Sequence, residues 1–320
     1  MNSNQKLRVA VVQSAPVMFD PAGTLDKVAE LANRAASRGV QLAVFPEAFI
    51  SAYPKGLDFG SVVGGRTPAG RQDYQRYYES SIAVPGTETQ RLAEISTQLN
   101  MSIVIGVIER DGGTLYCTAV FFDPEQGYLG KHRKLMPTGG ERLVWGFGDG
   151  STMPVFDTSI GRIGAVICWE NYMPSMRMAM YKKGIELYCA PTADNRDSWA
   201  PSMQHIGVEG RCFVLSACQF LRREDCPDDY ACVQGDDPET ILMTGGSCIV
   251  NPFGEFLAGP LFNEEGILTA DIDLGEIART KYDLDVTGHY SRPDIFTLIV
   301  NETPAESVVF SKRKGAVEHE

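Results

Sequence analysis

The sequence predicts an α/β protein with mixed sheets and helices on the outer faces, and three observations carry that expectation. Apolar segments of strand length alternate with segments of helical period in both halves of the chain. A glycine turn joins two long apolar runs, and the last strands follow one another with few helical residues between them, as hairpins do.

Leu7 to Pro16 opens on Leu7, Val9, Ala10, Val11 and Val12 and reads as a buried strand. Leu25, Val28, Ala29, Ala32, Ala35 and Ala36 then fall at helical spacing until Gly39 stops them. Leu42-Ala43-Val44-Phe45 is a second strand, running into Pro46-Glu47. Thr87 and Gln90 form a capping-box pattern ahead of a helix carrying Leu92, Ile95 and Leu99. Two strands follow, Ile103 to Ile108 and Tyr116 to Phe122, joined by the turn Asp111-Gly112-Gly113. The second half repeats the rhythm: strand Arg162 to Cys168, helix Pro174 to Lys183, strand Ile185 to Ala190, helix Trp199 to Cys212 and strand Phe213 to Ala217. Strands at Gly246 to Asn251, Glu255 to Ala258 and Ile267 to Ile272 close the pattern. No repeat at a fixed period is present.

The chain has 320 residues, 43% hydrophobic and 22% charged, enough for a large core. No Pro-, Gly- or Ser-rich stretch divides it, so one domain over 1–309 with a flexible polar tail at 310–320 is expected. A net charge of −12 argues against a nucleic-acid partner, since phosphate binding needs clustered Lys and Arg on one face. The polar start, Met1 to Lys6, precedes an apolar run too short for a secretory segment or a membrane span, so no membrane association and a cytoplasmic location are expected. Eight cysteines are scattered without a C-x-x-C pair, several inside apolar runs, which reads as buried thiols rather than disulfides. Four histidines, none at metal-ligand spacing, predict no metal, and no cofactor motif is present.

Three segments could carry chemistry. Cys168, in Ile167-Cys168-Trp169-Glu170-Asn171, ends an apolar strand ahead of a helix that Pro174 helps start. A thiol at such a turn is expected to be partly exposed and to face backbone N–H groups that lower its pKa; a buried structural cysteine is the ordinary alternative. Glu47 lies at the carboxyl end of a buried strand, the edge where α/β proteins commonly place ligands, although a strand-end Glu is more often solvated or paired. Lys134 closes the run Lys131-His132-Arg133-Lys134, of which three members are expected to face water and the fourth, beside an apolar turn, to point inward. Gly146 to Gly150 reads as a tight loop, not a dinucleotide site. Met173, Met176 and Met180 lie at helical spacing, as core residues do, and Tyr74, Tyr77 and Tyr78 are expected to pack a helix.

Together the three segments say more than each alone. Phe45-Pro46-Glu47-Ala48-Phe49, Lys131-His132-Arg133-Lys134-Leu135 and Cys168-Trp169-Glu170-Asn171 resemble, in that chain order, the signature segments of the nitrilase superfamily. The likeness extends to Glu141 to Thr152, Ala190 to Asp194 and Thr287 to Asp294, and so covers the chain from Leu7 to about Asn301. Cys-Trp-Glu-Asn resembles the true nitrilase branch, and several stretches resemble plant β-cyanoalanine nitrilases and their bacterial relatives. Gly139-Gly140 departs from relatives that often carry bulkier residues there, which bears on pocket shape rather than chemistry.

The resemblance implies a four-layer α-β-β-α sandwich forming a homodimer or a larger spiral. It implies hydrolysis of a small organic nitrile to acid and ammonia by Glu47, Lys134 and Cys168, with Glu141 holding Lys134 and the substrate. It implies substrate contacts at Tyr53, Trp169, Asn171 and Thr192. The alternatives are an amidase of the same superfamily and a non-catalytic dimeric scaffold.

Overall fold

The computed structural model describes residues 5–309. Its first half contains β1 (Lys6–Gln13), α1 (Pro21–Ala36), β2 (Leu42–Val44), β3 (Ser61–Val62), β4 (Gly65–Arg66), α2 (Pro68–Glu79), α3 (Thr87–Leu99), β5 (Ser102–Asp111), β6 (Thr114–Asp123) and β7 (Gly127–Arg133). The second half adds β8 (Val155–Thr158), β9 (Gly161–Ala165), α4 (Pro174–Lys182), β10 (Leu187–Thr192), α5 (Trp199–Gly210), β11 (Phe213–Cys218), β12 (Phe220–Arg222), β13 (Ile241–Val250), β14 (Phe256–Phe262), β15 (Gly266–Asp273) and α6 (Gly275–Lys281).

The strands form two mixed sheets. One is ordered β15-β1-β2-β5-β6-β7; the other is ordered β12-β13-β11-β10-β9-β8, with β14 paired to β13. Strand alternation assigns the faces. In β1, Leu7, Val9 and Val11 join an inner core with Leu187, Cys189, Leu215 and Ile249 of the opposite sheet, while Ala10 and Val12 face outward onto Val28 and Leu31 of α1. The second sheet repeats this, with Tyr188, Val214 and Val250 facing Met180 of α4 and Met203 and Ile206 of α5. The layers are therefore helix, sheet, sheet, helix: the four-layer sandwich that the family resemblance implies. Each fully buried Val, Leu or Ile contributes about 1.5–3 kcal/mol, so this alternation fixes register firmly.

Local signals explain most boundaries. Asp20 caps α1 by accepting the Gly23 N–H at 3.0 Å, Pro21 opens it, and Gly39, at φ 77°, turns the chain after it. Asp111 and Thr114 pair directly, so the β5–β6 hairpin turns on Gly112-Gly113. Met176 and Met180 are core residues, and Tyr77 is fully buried on α2. None of the eight cysteines is bonded to another, and seven of them are buried.

Some expectations are corrected. The cap of α3 is Gly86, whose N–H donates to Thr89 Oγ1 at 2.8 Å; Thr87 is already helical. The strand expected from Arg162 to Cys168 stops at Ala165, because the chain leaves the sheet to form a 3-10 turn at Cys168–Tyr172. The charged run at 131–134 belongs largely to β7, an edge strand with little apolar content. The expected tail at 310–320 lies outside the described residues. No helix among the described residues is long and apolar enough to cross a membrane.

Candidate active site

Glu47 follows β2 through Phe45-Pro46 and is wholly buried. Its segment lies across β5: Gly106 N–H donates to Pro46 O at 3.0 Å, and Gly106 O accepts from Phe49 N–H at 2.8 Å. That crossing requires glycine. A Cβ on Gly106 would stand 2.4 Å from Pro46 O, 2.5 Å from Ala48 N and 2.6 Å from Glu47 Cα, all backbone atoms. Ala48 takes a left-handed conformation (φ 49°), which turns the chain directly after the carboxylate. Gln219 Nε2 holds the Glu47 carbonyl at 2.7 Å from the second sheet.

Lys134 follows β7, tied by its N–H to Cys117 O at 2.8 Å. Its ammonium is fully buried and donates to Glu47 Oε1 at 2.6 Å and to Glu141 Oε2 at 2.7 Å. Glu141 sits in a 3-10 turn (Gly139–Leu143) and also accepts from Thr138 N–H at 2.7 Å and Tyr53 Oη–H at 2.7 Å. Trp145 backs the ammonium, with its ring centroid 5.4 Å from Nζ. Cys117 Sγ–H donates to Glu47 Oε1 at 3.5 Å. Among the described residues, Glu47 Oε2, though buried, has no hydrogen-bond partner.

Cys168 opens its 3-10 turn in a left-handed conformation (φ 49°), an unusual backbone for cysteine. Thr192 Oγ1–H points at Sγ from 3.3 Å. The thiol is only 5% exposed, which corrects the expectation of a partly exposed thiolate. Burial, reinforced by the Glu47 charge, pushes its pKa well above the ordinary thiol value; Lys134 and the Thr192 hydroxyl pull the other way. Burial likewise raises Glu47, against the pull of Lys134. Burial alone would lower Lys134, but Glu47, Cys168, Cys117 and Glu141 outweigh it and hold the ammonium charged. One ammonium between two carboxylates makes this a site where protons are held tightly but can move.

The remaining expected residues are placed as follows. Tyr53 is bonded to Glu141, and Thr192 to Cys168. The Trp169 indole turns to Asp194, donating to Oδ2 at 2.6 Å, with Arg196 stacked on its ring at 4.4 Å. Asn171 braces the turn. Its Nδ2 donates to Val166 O at 2.9 Å and Cys168 O at 2.7 Å, and its Oδ1 accepts from Tyr188 at 2.9 Å, so no side-chain atom is left free.

The basic run is also corrected. His132 is as buried as Lys134, and Lys131 and Arg133 both meet the buried Glu109, each at 2.5 Å. Sequence reasoning missed Gly106, Cys117, Trp145 and the His132–Glu170 contact. Only the last left a signal, since His132 precedes Lys134 by two residues and Glu170 follows Cys168 by two.

A cavity of about 390 Å³ lined by Tyr53, Leu57, Phe59, Thr138, Glu141 and Gln234 reaches the cluster at Glu141, a size suited to a small molecule. Among the described residues, no group of three or more His, Cys, Asp or Glu is gathered as a metal ion would require.

A four-layer sandwich with a thiol, two carboxylates and a lysine gathered between its sheets defines the class: the chain is a hydrolase of carbon–nitrogen bonds. Residues 8–282 match the carbon-nitrogen hydrolase family. The chain belongs to that family and, within it, to the nitrilase branch. It is 58% identical to a nitrilase of Bradyrhizobium diazoefficiens, covering 96% of this chain and 97% of the relative. It is 53% identical to a bifunctional nitrilase/nitrile hydratase of Nicotiana tabacum, over 99% and 92% respectively. In fold it is similar to a carbon-nitrogen hydrolase from Helicobacter pylori G27, with a TM-score of 0.70, 20% identity, and coverage of 88% of this chain and 94% of that one.

Proposed function

We propose that the chain hydrolyses a small organic nitrile to a carboxylic acid and ammonia, with Cys168 as nucleophile, Glu47 as general base and then general acid, Lys134 as electrostatic stabiliser, and Glu141 holding Lys134. One observation carries this reading. Wholly buried Glu47 gives one oxygen to Lys134 and keeps the other unpartnered, in a set that includes a thiol too buried to ionise unaided.

Because that thiol resists ionisation, its proton leaves as the S–C bond forms. Glu47, made more basic by burial, takes it. Attack on the nitrile carbon gives a thioimidate whose nitrogen receives that proton. Water, deprotonated by Glu47, adds to give a tetrahedral intermediate. Departure of ammonia leaves a thioester, and a second water releases the acid and restores the thiol. Lys134 stabilises the charge that develops on the substrate, fixed beforehand between two carboxylates so that it need not reorganise. Tyr53, Thr192 and Trp169 line the substrate's approach, supported by their contacts to Glu141, Cys168 and Asp194.

The enzyme is read as one domain over 1–309, cytoplasmic, without a cofactor, and without a nucleic-acid or membrane partner. It is read as assembling into a homodimer or larger spiral, because Tyr290, Phe296 and Ile299, beyond α6, leave large apolar side chains uncovered in a single copy. Light scattering that finds only an active 35.0 kDa monomer would refute the assembly.

The deciding experiment is a panel of nitriles beside the matching amides, with ammonia, acid and amide all quantified. Turnover of nitriles to acid is the expected result. Turnover of amides alone would make the chain an amidase, and turnover of neither would leave a non-catalytic dimeric scaffold.

A further inference from the structure

His132 and Glu170 belong to the two segments that carry Lys134 and Cys168, and neither takes part in the chemistry above. Both are buried, His132 fully and Glu170 to within 1%. His132 is on β7, at the edge of one sheet; Glu170 is in the turn that leaves β9 of the other sheet. Strand alternation places His132 on the same face as Lys134, two residues on, while Lys131 and Arg133 point to the other face and Glu109. Glu170 joins the two segments with both oxygens. Oε1 accepts from Leu135 N–H, next to Lys134, at 2.6 Å. Oε2 accepts from Ile167 N–H, next to Cys168, at 2.8 Å, and faces His132 Nε2 at 2.9 Å.

The imidazole has acceptors on both sides. Nδ1 is 2.5 Å from Thr152 O, a carbonyl that can only accept, so Nδ1 carries a proton. Nε2 faces Glu170 Oε2, an oxygen that already accepts the Ile167 N–H, so Nε2 is placed to donate as well. The ring is an imidazolium, paired with a carboxylate and out of reach of water.

We propose that His132 and Glu170 are positioning residues: a buried imidazolium–carboxylate pair that clamps the strand bearing Lys134 to the turn bearing Cys168, so that activity depends on the proton held by His132. The consequence for catalysis rests on the reading of Lys134 and Cys168 given above; the protonation state does not. The charged groups facing the ring are Glu170 from the Cys168 turn and Lys183 from the end of α4. Burial and Lys183 oppose the charge, and the Glu170 charge and hydrogen bond with the Thr152 carbonyl overcome them, so His132 titrates above the ordinary imidazole range. The sign follows. A histidine raised in the folded state holds its proton, and the clamp, below the ordinary imidazole value, and loses both as pH rises through the raised one. The clamp therefore sets an alkaline limb in kcat/KM.

Two readouts test it. In the full-length protein labelled with ¹⁵N-histidine, and with His132→Gln used to assign the signal, His132 is expected to show both ring nitrogens protonated at pH 7.5, a condition in which a free imidazole (pKa about 6.5) is mostly neutral. A His132 with one bare nitrogen at that pH would overturn the proposal without any assay of turnover. On whichever substrate the panel identifies, His132→Gln, which keeps a donor toward Glu170 but cannot titrate, is expected to lower kcat/KM by about 10- to 100-fold, the cost of a weakened charge-assisted hydrogen bond, and to remove the alkaline limb. Glu170→Gln is expected to move that limb to lower pH, because the ring loses the charge that held its proton. An alkaline limb unchanged in both variants would show that the pair is structural only.

Discussion

Replacing Lys134 with alanine tests the electrostatics of the site most directly. In the wild type, one ammonium serves two carboxylates, 2.6 Å from Glu47 and 2.7 Å from Glu141, with Lys134 and Glu47 shut away from water. Lys134→Ala leaves two acidic groups facing each other without a cation. Removing one partner of a buried ion pair costs about 3–5 kcal/mol, because the other charge stays buried and unpaired. Glu47 can avoid that cost by taking a proton. Its pKa is already raised by burial, Lys134 is the chief influence lowering it, and Glu141 raises it further. A carboxylate whose folded pKa is raised stabilises the fold below its unfolded pKa and loses that contribution as pH rises through the folded value. The variant is therefore expected to be nearly as stable as the wild type at pH 5 and to lose most of that cost, about 3–5 kcal/mol, by pH 8. Catalysis loses its charge stabilisation, about 10²–10³ in kcat, and the base loses the cation that lowered its pKa, so the acid limb of kcat/KM should move to higher pH. Urea unfolding at pH 5 and 8, with a pH–rate profile, measures both. An equal loss of stability at the two pH values, or turnover near the wild-type rate, would refute the reasoning. Lys134→Arg should rescue poorly, since a planar fork does not fit where a compact ammonium bridges two carboxylates.

Other predictions follow from the same geometry. Gly106→Ala should inactivate the enzyme and cost more than an ordinary surface change, because its Cβ would meet three backbone atoms of the Glu47 segment at 2.4–2.6 Å; wild-type activity and melting temperature in this variant would show that the crossing yields easily. Cys168→Ala should abolish turnover and keep the fold. Iodoacetamide should label the partly exposed Cys232 without consequence, whereas loss of activity should track Cys168, as peptide mapping over time would report; loss that tracks Cys218 or Cys212 instead would sink the assignment. The product ratio probes Glu141. The tetrahedral intermediate expels either ammonia, giving acid, or the thiol, giving amide, and ammonia leaves only when its nitrogen is protonated and that charge is held by nearby carboxylates. Glu141→Gln should be slower and give a larger amide fraction by chromatography; an unchanged ratio in an active variant would remove Glu141 from the partition.

The sequence by itself determined the layers and the chemical inventory. In β1, an unbroken apolar run identified a buried strand, and helical spacing ended by Gly39 identified α1, because these signals act over a few residues of chain. Motif likeness located Glu47, Lys134, Glu141 and Cys168. Tertiary structure decided what depends on distant neighbours. The run at 131–134 looked like a solvated charged face, yet pairing with β6 makes it a strand whose alternate charges are neutralised by Glu109 on one side and by Glu47, Glu141 and Glu170 on the other. Gly106 has no sequence signal, because the backbone it admits comes from a segment some sixty residues earlier. The thiol shows the difference most clearly. Local reasoning placed Cys168 at a turn whose N–H groups lower its pKa, and the turn is there; but Cys168 lies between two packed sheets beside a carboxylate, and desolvation outweighs a local dipole. Propensity and pattern are properties of neighbouring residues in the chain, whereas the cost of a buried charge is set by everything the fold brings around it.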